Sequence, residues 1–230
     1  VSWLDERRAQ SEYRCTVTSQ APRLAILASG TGTLLEAVIE AGLCVTVVVS
    51  DRTCRALQVA ASAGVQAELL ERDTFGADFD RDGYSARLVQ LLDRYKVDVV
   101  AMAGFATVLT GPLFERYTGR VLNTHPSLLP AFKGWHAVRD ALQAGVAVTG
   151  ATVHVATEQV DEGPILAQEE VPVLGGDSEA SLHERIKQVE RRLYPETIRV
   201  FLGTVRDGQG DPGGTAQHII ANPRTQGATP

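Results

Sequence analysis

The sequence predicts an α/β fold, a doubly wound and mostly parallel sheet flanked by helices, in a single domain over residues 23–202. Short apolar runs recur along that stretch, as in Leu24–Ala28, Val45–Val49 and Val97–Met102. Between them lie longer segments whose apolar residues fall three and four apart, the spacing of one helix face. Glycine- and proline-bounded turns separate the two kinds of segment. Strand–helix alternation of this sort implies parallel strands with crossover helices.

Leu24–Ala28 is apolar throughout, as expected of a strand buried on both faces. The turn Ser29-Gly30-Thr31-Gly32-Thr33 follows it, and then a helix with Leu34, Leu35, Val38 and Ile39 on one side. Val45–Val49 is a second strand. Arg55–Ala63 is a second helix, stopped by Gly64, and Ala67–Leu70 a weak third strand. Tyr84–Tyr95 is a helix with Leu88, Leu91 and Leu92 together on one face. Val97–Met102 is a fourth strand, and Pro112 suits the first turn of a short helix to Tyr117. Arg120–Thr124 is a fifth strand. Trp135–Ala144 is a helix, Val148–Val155 and Ile165–Val173 are two more strands, and Ser178–Phe201 is a long closing helix with Leu182, Ile186, Val189 and Leu193 as its stripe. Residues 1–22 read as a loose polar leader without the apolar core of a signal peptide, and residues 203–230, rich in glycine and proline, as an irregular tail.

The net charge of −6 carries no basic stripe of the kind that neutralises a nucleic-acid backbone. No apolar run approaches the length of a membrane span. Cys15, Cys44 and Cys54 are odd in number, and their spacing fits no metal motif or disulfide framework. A reducing cytoplasm is the expected compartment.

The chemistry concentrates in Leu122-Asn123-Thr124-His125-Pro126-Ser127-Leu128-Leu129-Pro130. Residues i and i+2 of a strand share a face, so Asn123 and His125 address one point. An amide donor beside an imidazole suits a developing oxyanion and a proton in transit. The Ser29–Thr33 turn offers backbone N–H groups and a helix N-terminus to an anion. It lacks the third glycine of a dinucleotide fingerprint and the lysine of a P-loop, so a single phosphate suits it better; a structural tight turn is the plainer alternative. Asp161, before Gly163-Pro164, either orients an imidazole and favours its charged form or bonds its own turn. Lys187 and Glu190 share a helix face, as a functional pair or a solvated one. In open parallel sheets the ligand crevice lies outside the C-terminal strand ends, where the glycine turn and the Asn123–Pro130 loop both fall.

Together these segments resemble the folate-dependent formyltransferases, most closely the phosphoribosylglycinamide formyltransferases of purine synthesis. The resemblance covers residues 23–202. It rests on the glycine turn, Ala103-Gly104-Phe105, the Asn123–Pro130 run, Thr149-Gly150-Ala151-Thr152-Val153-His154, Asp161-x-Gly163-Pro164 and Gly176-Asp177-Ser178. It implies a metal-free one-carbon transferase that moves the formyl group of 10-formyltetrahydrofolate to the amine of glycinamide ribonucleotide. By that likeness Asn123 and His125 stabilise the oxyanion, His125 shuttles the proton, and Asp161 raises the His125 pKa and orders a water. Gly30, Thr31, Gly32 and Thr33 hold the phosphate with help from Lys187, and Glu190 grips the ribose. Folate lies against Ala106, Thr107, Val108 and Leu109, against Asn123, and against the loop Thr157, Glu158, Gln159, Val160 and Asp161, with Arg81 as a further contact. A homodimer is compatible with the likeness.

Several positions depart from the family pattern. Leu34 stands where a side-chain amide is usual, Thr107 where an arginine is common, Glu162 for a frequent glycine and Lys133 for a frequent proline. Other readings are a tRNA-acting formyltransferase, which needs a further basic domain, a formyltetrahydrofolate deformylase, whose family carries a regulatory domain ahead of the first strand, and a non-catalytic folate- or nucleotide-binding module. The short polar leader, the short tail and the intact Asn/His/Asp set favour the transferase.

Overall fold

The structure is a computed structural model describing residues 21–74, 76 and 78–206. The elements run β1 (Leu24–Leu27), α1 (Thr33–Glu40), β2 (Val45–Ser50), α2 (Arg55–Ser62), β3 (Gln66–Leu69), α3 (Arg81–Arg94) and β4 (Val99–Met102). They continue with α4 (Gly111–Arg116), β5 (Val121–His125), α5 (Ala137–Gln143), β6 (Val148–Val155), β7 (Ile165–Pro172) and α6 (Glu179–Arg206). One seven-stranded sheet has the order β3-β2-β1-β4-β5-β6-β7. The strands β1 to β5 pair in parallel; β6 runs antiparallel to β5, and β7 antiparallel to β6.

Strand alternation divides the core between the two faces. Leu24, Ile26, Ala101, Leu122, Ala151 and Val153 pack with residues of α1, α2, α5 and α6. Ala25, Leu27, Val49, Val100 and Val121 pack with Tyr84, Leu88 and Leu92 of α3 and Leu113 of α4. Helices therefore cover both faces, and β1 at the centre is buried along its whole length. The order of strands reverses direction between β1 and β4, which is the topological switch point where such sheets open a crevice.

The limits of several elements differ from the sequence expectation. The helix expected from Tyr84 begins at Arg81, because the Asp80 carboxylate accepts from Gly83 N–H at 2.8 Å and caps it. Trp135 lies outside α5 and is 68% exposed. The closing helix continues past Gly203 to Arg206, four residues into the segment expected to be irregular tail. Most of the expected leader, and the tail from 207 onward, lie outside the described residues. Cys44 is disulfide-bonded, against the reading that the cysteine spacing fits no disulfide framework; Cys54 is free, and Cys15 lies outside the described residues. Among the described residues no helix is long and apolar enough to cross a membrane.

Candidate active site

The glycine turn leaves β1 at the switch point. Gly32 carries φ 76°, and a Cβ there would lie 2.9 Å from the Ala56 backbone, so only glycine lets the turn pack on α2. Three carbonyls point away from the crevice. Gly30 C=O accepts from Ala56 N–H at 3.1 Å, Thr31 C=O from the Arg55 guanidinium at 2.5 Å, and Gly32 C=O from Glu36 N–H at 2.9 Å. Among the described residues, the N–H groups of residues 30–35 have no protein acceptor. This is the arrangement of an anion cradle at the N-terminus of α1. Leu34, the departure at the end of the turn, packs against the core.

Two strands away, β5 ends in Asn123 and His125. Strand spacing puts the ends of β1 and β5 roughly 10 Å apart, with only β4 between them. Asn123 and His125 share the face opposite Leu122 and Thr124, as their spacing predicts. Antiparallel pairing sets Asn123 against His154 and His125 against Thr152. The buried His125 ring meets Asp161 Oδ2 at 3.3 Å through Nδ1 and the Phe132 carbonyl at 2.8 Å through Nε2. Asp161 is also fixed by Gly134 N–H, which donates to Oδ2 at 2.8 Å. Burial works to raise the Asp161 carboxyl. The hydrogen bond from Gly134 N–H and the charge of His125 oppose burial, and the carboxyl is held below the ordinary carboxylate range.

Gly163 explains why Asp161 returns to this point. Its Cα lies so close to β6 that a Cβ would stand 1.7 Å from the Val155 carbonyl. Pro164 C=O then accepts from Val155 N–H at 2.8 Å and pins the loop to the strand.

His154 is a member of the site that residue-by-residue reading did not single out. It is 1% exposed. Its Nδ1 lies 3.1 Å from the Val155 carbonyl, which only accepts, so Nδ1 carries the hydrogen. Nε2 then accepts from Asn123 Nδ2 at 3.2 Å. That bond fixes which way the Asn123 amide faces and leaves its second N–H hydrogen for a ligand oxygen. The signal in the sequence was the buried strand Thr149–Val155, an apolar setting in which a histidine needs partners.

The remaining expected residues lie on α6, on the segment after β4, on the loop after β6 and at the start of α3. Glu190 of α6 is buried and accepts from the Thr124 hydroxyl at 2.9 Å. Burial pushes its carboxyl up, against the Thr124 hydrogen bond and the charges of Lys187 and Arg191. Lys187 is half-buried one turn earlier. After β4, Ala106 N–H donates to the Ser29 hydroxyl at 2.8 Å, so this amide is used within the protein. Among the described residues the N–H groups of Thr107, Val108 and Leu109 have no protein acceptor. The Thr107 side chain turns inward and donates to the buried Asp51 carboxylate at 2.7 Å, while Leu109 joins the core. Thr157 is half-exposed, Glu158, Gln159 and Val160 are exposed, and Thr157 bonds the Gln159 carbonyl at 3.0 Å. Arg81 is exposed at the start of α3. Two of the family departures meet: Lys133 and Glu162 form an ion pair at 2.9 Å that joins the loops bearing Phe132 and Asp161.

Known proteins resemble this chain in sequence and in fold. The phosphoribosylglycinamide formyltransferase of Mycobacterium tuberculosis is 47% identical over 189 residues, covering 79% of this chain and 86% of that protein. The Escherichia coli protein of the same name is 36% identical, covering 77% of this chain and 86% of its own length. Among solved structures, glycinamide ribonucleotide transformylase 1 from Symbiobacterium toebii superposes with a TM-score of 0.76 at 40% identity, covering 84% of this chain and 93% of that one. The family model described as formyl transferase matches residues 22–198, and the chain belongs to that family.

Proposed function

We propose that this chain is a phosphoribosylglycinamide formyltransferase, moving the formyl group of 10-formyltetrahydrofolate to the amine of glycinamide ribonucleotide in the cytoplasmic synthesis of purines. The observation that carries the reading is the pairing of an N–H cradle on α1 with the Asn123/His125/Asp161 cluster two strands away. The cradle suits a phosphate, and Lys187 adds positive charge to the α6 side. Glu190, already bonded to Thr124, is placed to accept from ribose hydroxyls. The unused N–H groups of residues 107–109 and the exposed segment 157–160 form polar edges suited to a pterin, and Arg81 suits the folate carboxylates.

In the reaction the amine nitrogen bonds to the formyl carbon, the C=O pair moves onto oxygen, and the bond to the folate nitrogen then breaks as C=O reforms. The proton lost by the amine equals the one gained by the folate nitrogen. Asn123 Nδ2–H and the His125 ring donate to the oxyanion, a role typically worth about 10²–10³ in kcat per donor. Asp161, ionised by its setting, holds the His125 ring in place. The assay is folate release from 10-formyltetrahydrofolate with and without glycinamide ribonucleotide. Release that requires the nucleotide is expected. Equal release without it would make the chain a hydrolase, and none in either case would leave a binding module.

A further inference from the structure

We propose that Asp51, a buried carboxylate outside the reacting cluster, is a positioning residue for folate, which sets through the Thr107 hydroxyl where the unused N–H groups of residues 107–109 stand. The proposal rests on the formyl-transfer reading, since it concerns how the folate edge of that site is held.

The segment after β4 has little of its own to hold it. Residues 105–109 belong to no helix or strand, and among the described residues their backbone groups bond to no other backbone group. Side chains from three places in the fold anchor the segment instead. Ala106 N–H donates to the Ser29 hydroxyl, just after β1, at 2.8 Å. The Thr107 hydroxyl donates to Asp51 Oδ2, just after β2, at 2.7 Å. Thr110 N–H donates to the Ser85 hydroxyl of α3 at 3.1 Å. The Asp51 anchor is the charged one, and a hydrogen bond to an ionised acceptor is roughly twice as strong as a neutral one. Threonine is branched at Cβ and stiff at χ1, so fixing its hydroxyl fixes the backbone that carries it.

No step of the transfer uses Asp51, yet it is fully buried, and burying a carboxylate is costly unless it is paired. Arg52 meets it from the same loop, with Nε 2.9 Å from Oδ1 and Nη2 3.0 Å from Oδ2. Burial works to raise the carboxyl. The hydrogen bonds of Arg52 and Thr107 oppose burial, and the carboxyl is held below the ordinary range. Arg52 thus answers the charge locally, while Thr107 comes from across the sheet. β2 and β4 flank β1, so the bond from Thr107 to Asp51 links the strands on either side of the one that launches the glycine turn. Arg72 braces the same point. Its N–H donates to the Asp51 carbonyl at 3.1 Å and its Nη1 to the Thr107 hydroxyl at 3.4 Å, with the guanidinium 4.2 Å from the centre of the Phe79 ring. The hydroxyl therefore gives one hydrogen bond and receives another, and the 4%-exposed Thr107 side chain is set in one direction.

The test combines calorimetric titration with tetrahydrofolate and steady-state formyl transfer, both on the full chain. Thr107→Val keeps the shape of the side chain and removes the donor. It is expected to weaken tetrahydrofolate binding and to raise KM for 10-formyltetrahydrofolate, each roughly tenfold, with KM for glycinamide ribonucleotide little changed. Thr107→Ser restores the hydroxyl and is expected to recover most of the folate affinity that Thr107→Val loses. Asp51→Asn keeps an acceptor without the charge, so the same split is expected at smaller size. Added to Thr107→Val, Asp51→Asn should cost no further folate affinity, because both changes act through one bond. Wild-type folate affinity in Thr107→Val, equal losses for folate and nucleotide, or additive losses in the double variant would each overturn the proposal. Should Thr107→Val fail to fold, Asp51→Asn decides, and unchanged folate affinity there overturns it. A wild-type chain that binds no tetrahydrofolate would overturn the formyl-transfer reading, and the proposal with it.

Discussion

Replacing Gly163 by alanine adds one methyl group, and the structure says where it goes. The new Cβ would stand 1.7 Å from the Val155 carbonyl oxygen and 2.9 Å from its carbon, while real Cβ contacts essentially never fall below 3.0 Å. The loop must therefore withdraw from β6 by about 1.3 Å, and a misplacement of about 1 Å in a catalytic array costs on the order of 10²-fold in rate. Two functional groups move with it. Asp161 lies two residues earlier, and the Val155 carbonyl is the partner of His154 Nδ1. We expect Gly163→Ala to lower kcat about 100-fold with KM for glycinamide ribonucleotide nearly unchanged, since the phosphate cradle lies at the end of β1. Steady-state formyl transfer measures both constants, and thermal melting shows whether the fold survives. Gly203→Ala is the matching control. Nothing lies within 4 Å of its Cβ, and a helix-interior alanine in α6 should stabilise by ~0.5–1 kcal/mol. Wild-type kcat in a folded Gly163→Ala protein would refute the reasoning.

Four other changes separate the parts of the site. Gly32→Ala, with its strained φ and its contact on α2, should raise KM for the nucleotide and spare kcat, the opposite split from Gly163→Ala; a kcat defect alone would argue against a phosphate role for the turn. Asn123→Ala should lower kcat by about 10²–10³ without loss of fold, checked by turnover and circular dichroism. Glu190 has a folded pKa above its unfolded value, so folding binds a proton and stability falls as pH rises through the window between the two. Glu190→Gln should therefore melt higher at neutral pH and bind the nucleotide more weakly; a lower melting temperature there would contradict the burial argument. The Asp161 pKa lies below its unfolded value, so its contribution is present above the unfolded pKa and is lost as pH falls toward the folded one. The melting temperature of Asp161→Asn should fall less steeply with acid than that of wild type.

Much of this was legible in the sequence because period and punctuation act locally. Continuous apolar runs marked β1, β2 and β4. The two-residue spacing of Asn123 and His125 fixed their common face, and the strand-to-turn transition put the glycine cradle at a crevice. Contacts made across the sheet were not legible. His154 meets Asn123 only because β6 returns antiparallel to β5 in one register. Phe132 meets His125 through its backbone carbonyl, which its side chain does not reveal. Gly203 suggests a helix end, yet α6 passes through it, because Ile198 and Phe201 before it are buried in the core and Leu202 and Val205 around it pack against that core. Thr107 reads as a lost arginine until its hydroxyl is seen to serve the buried Asp51.

The fate of the formyl carbon separates transfer from every other use of this site. With 10-formyltetrahydrofolate labelled at that carbon and glycinamide ribonucleotide supplied, the label should appear on the nucleotide amine as the formamide, in amounts equal to the tetrahydrofolate released. Label recovered as formate, with the nucleotide unmodified, would contradict the assignment.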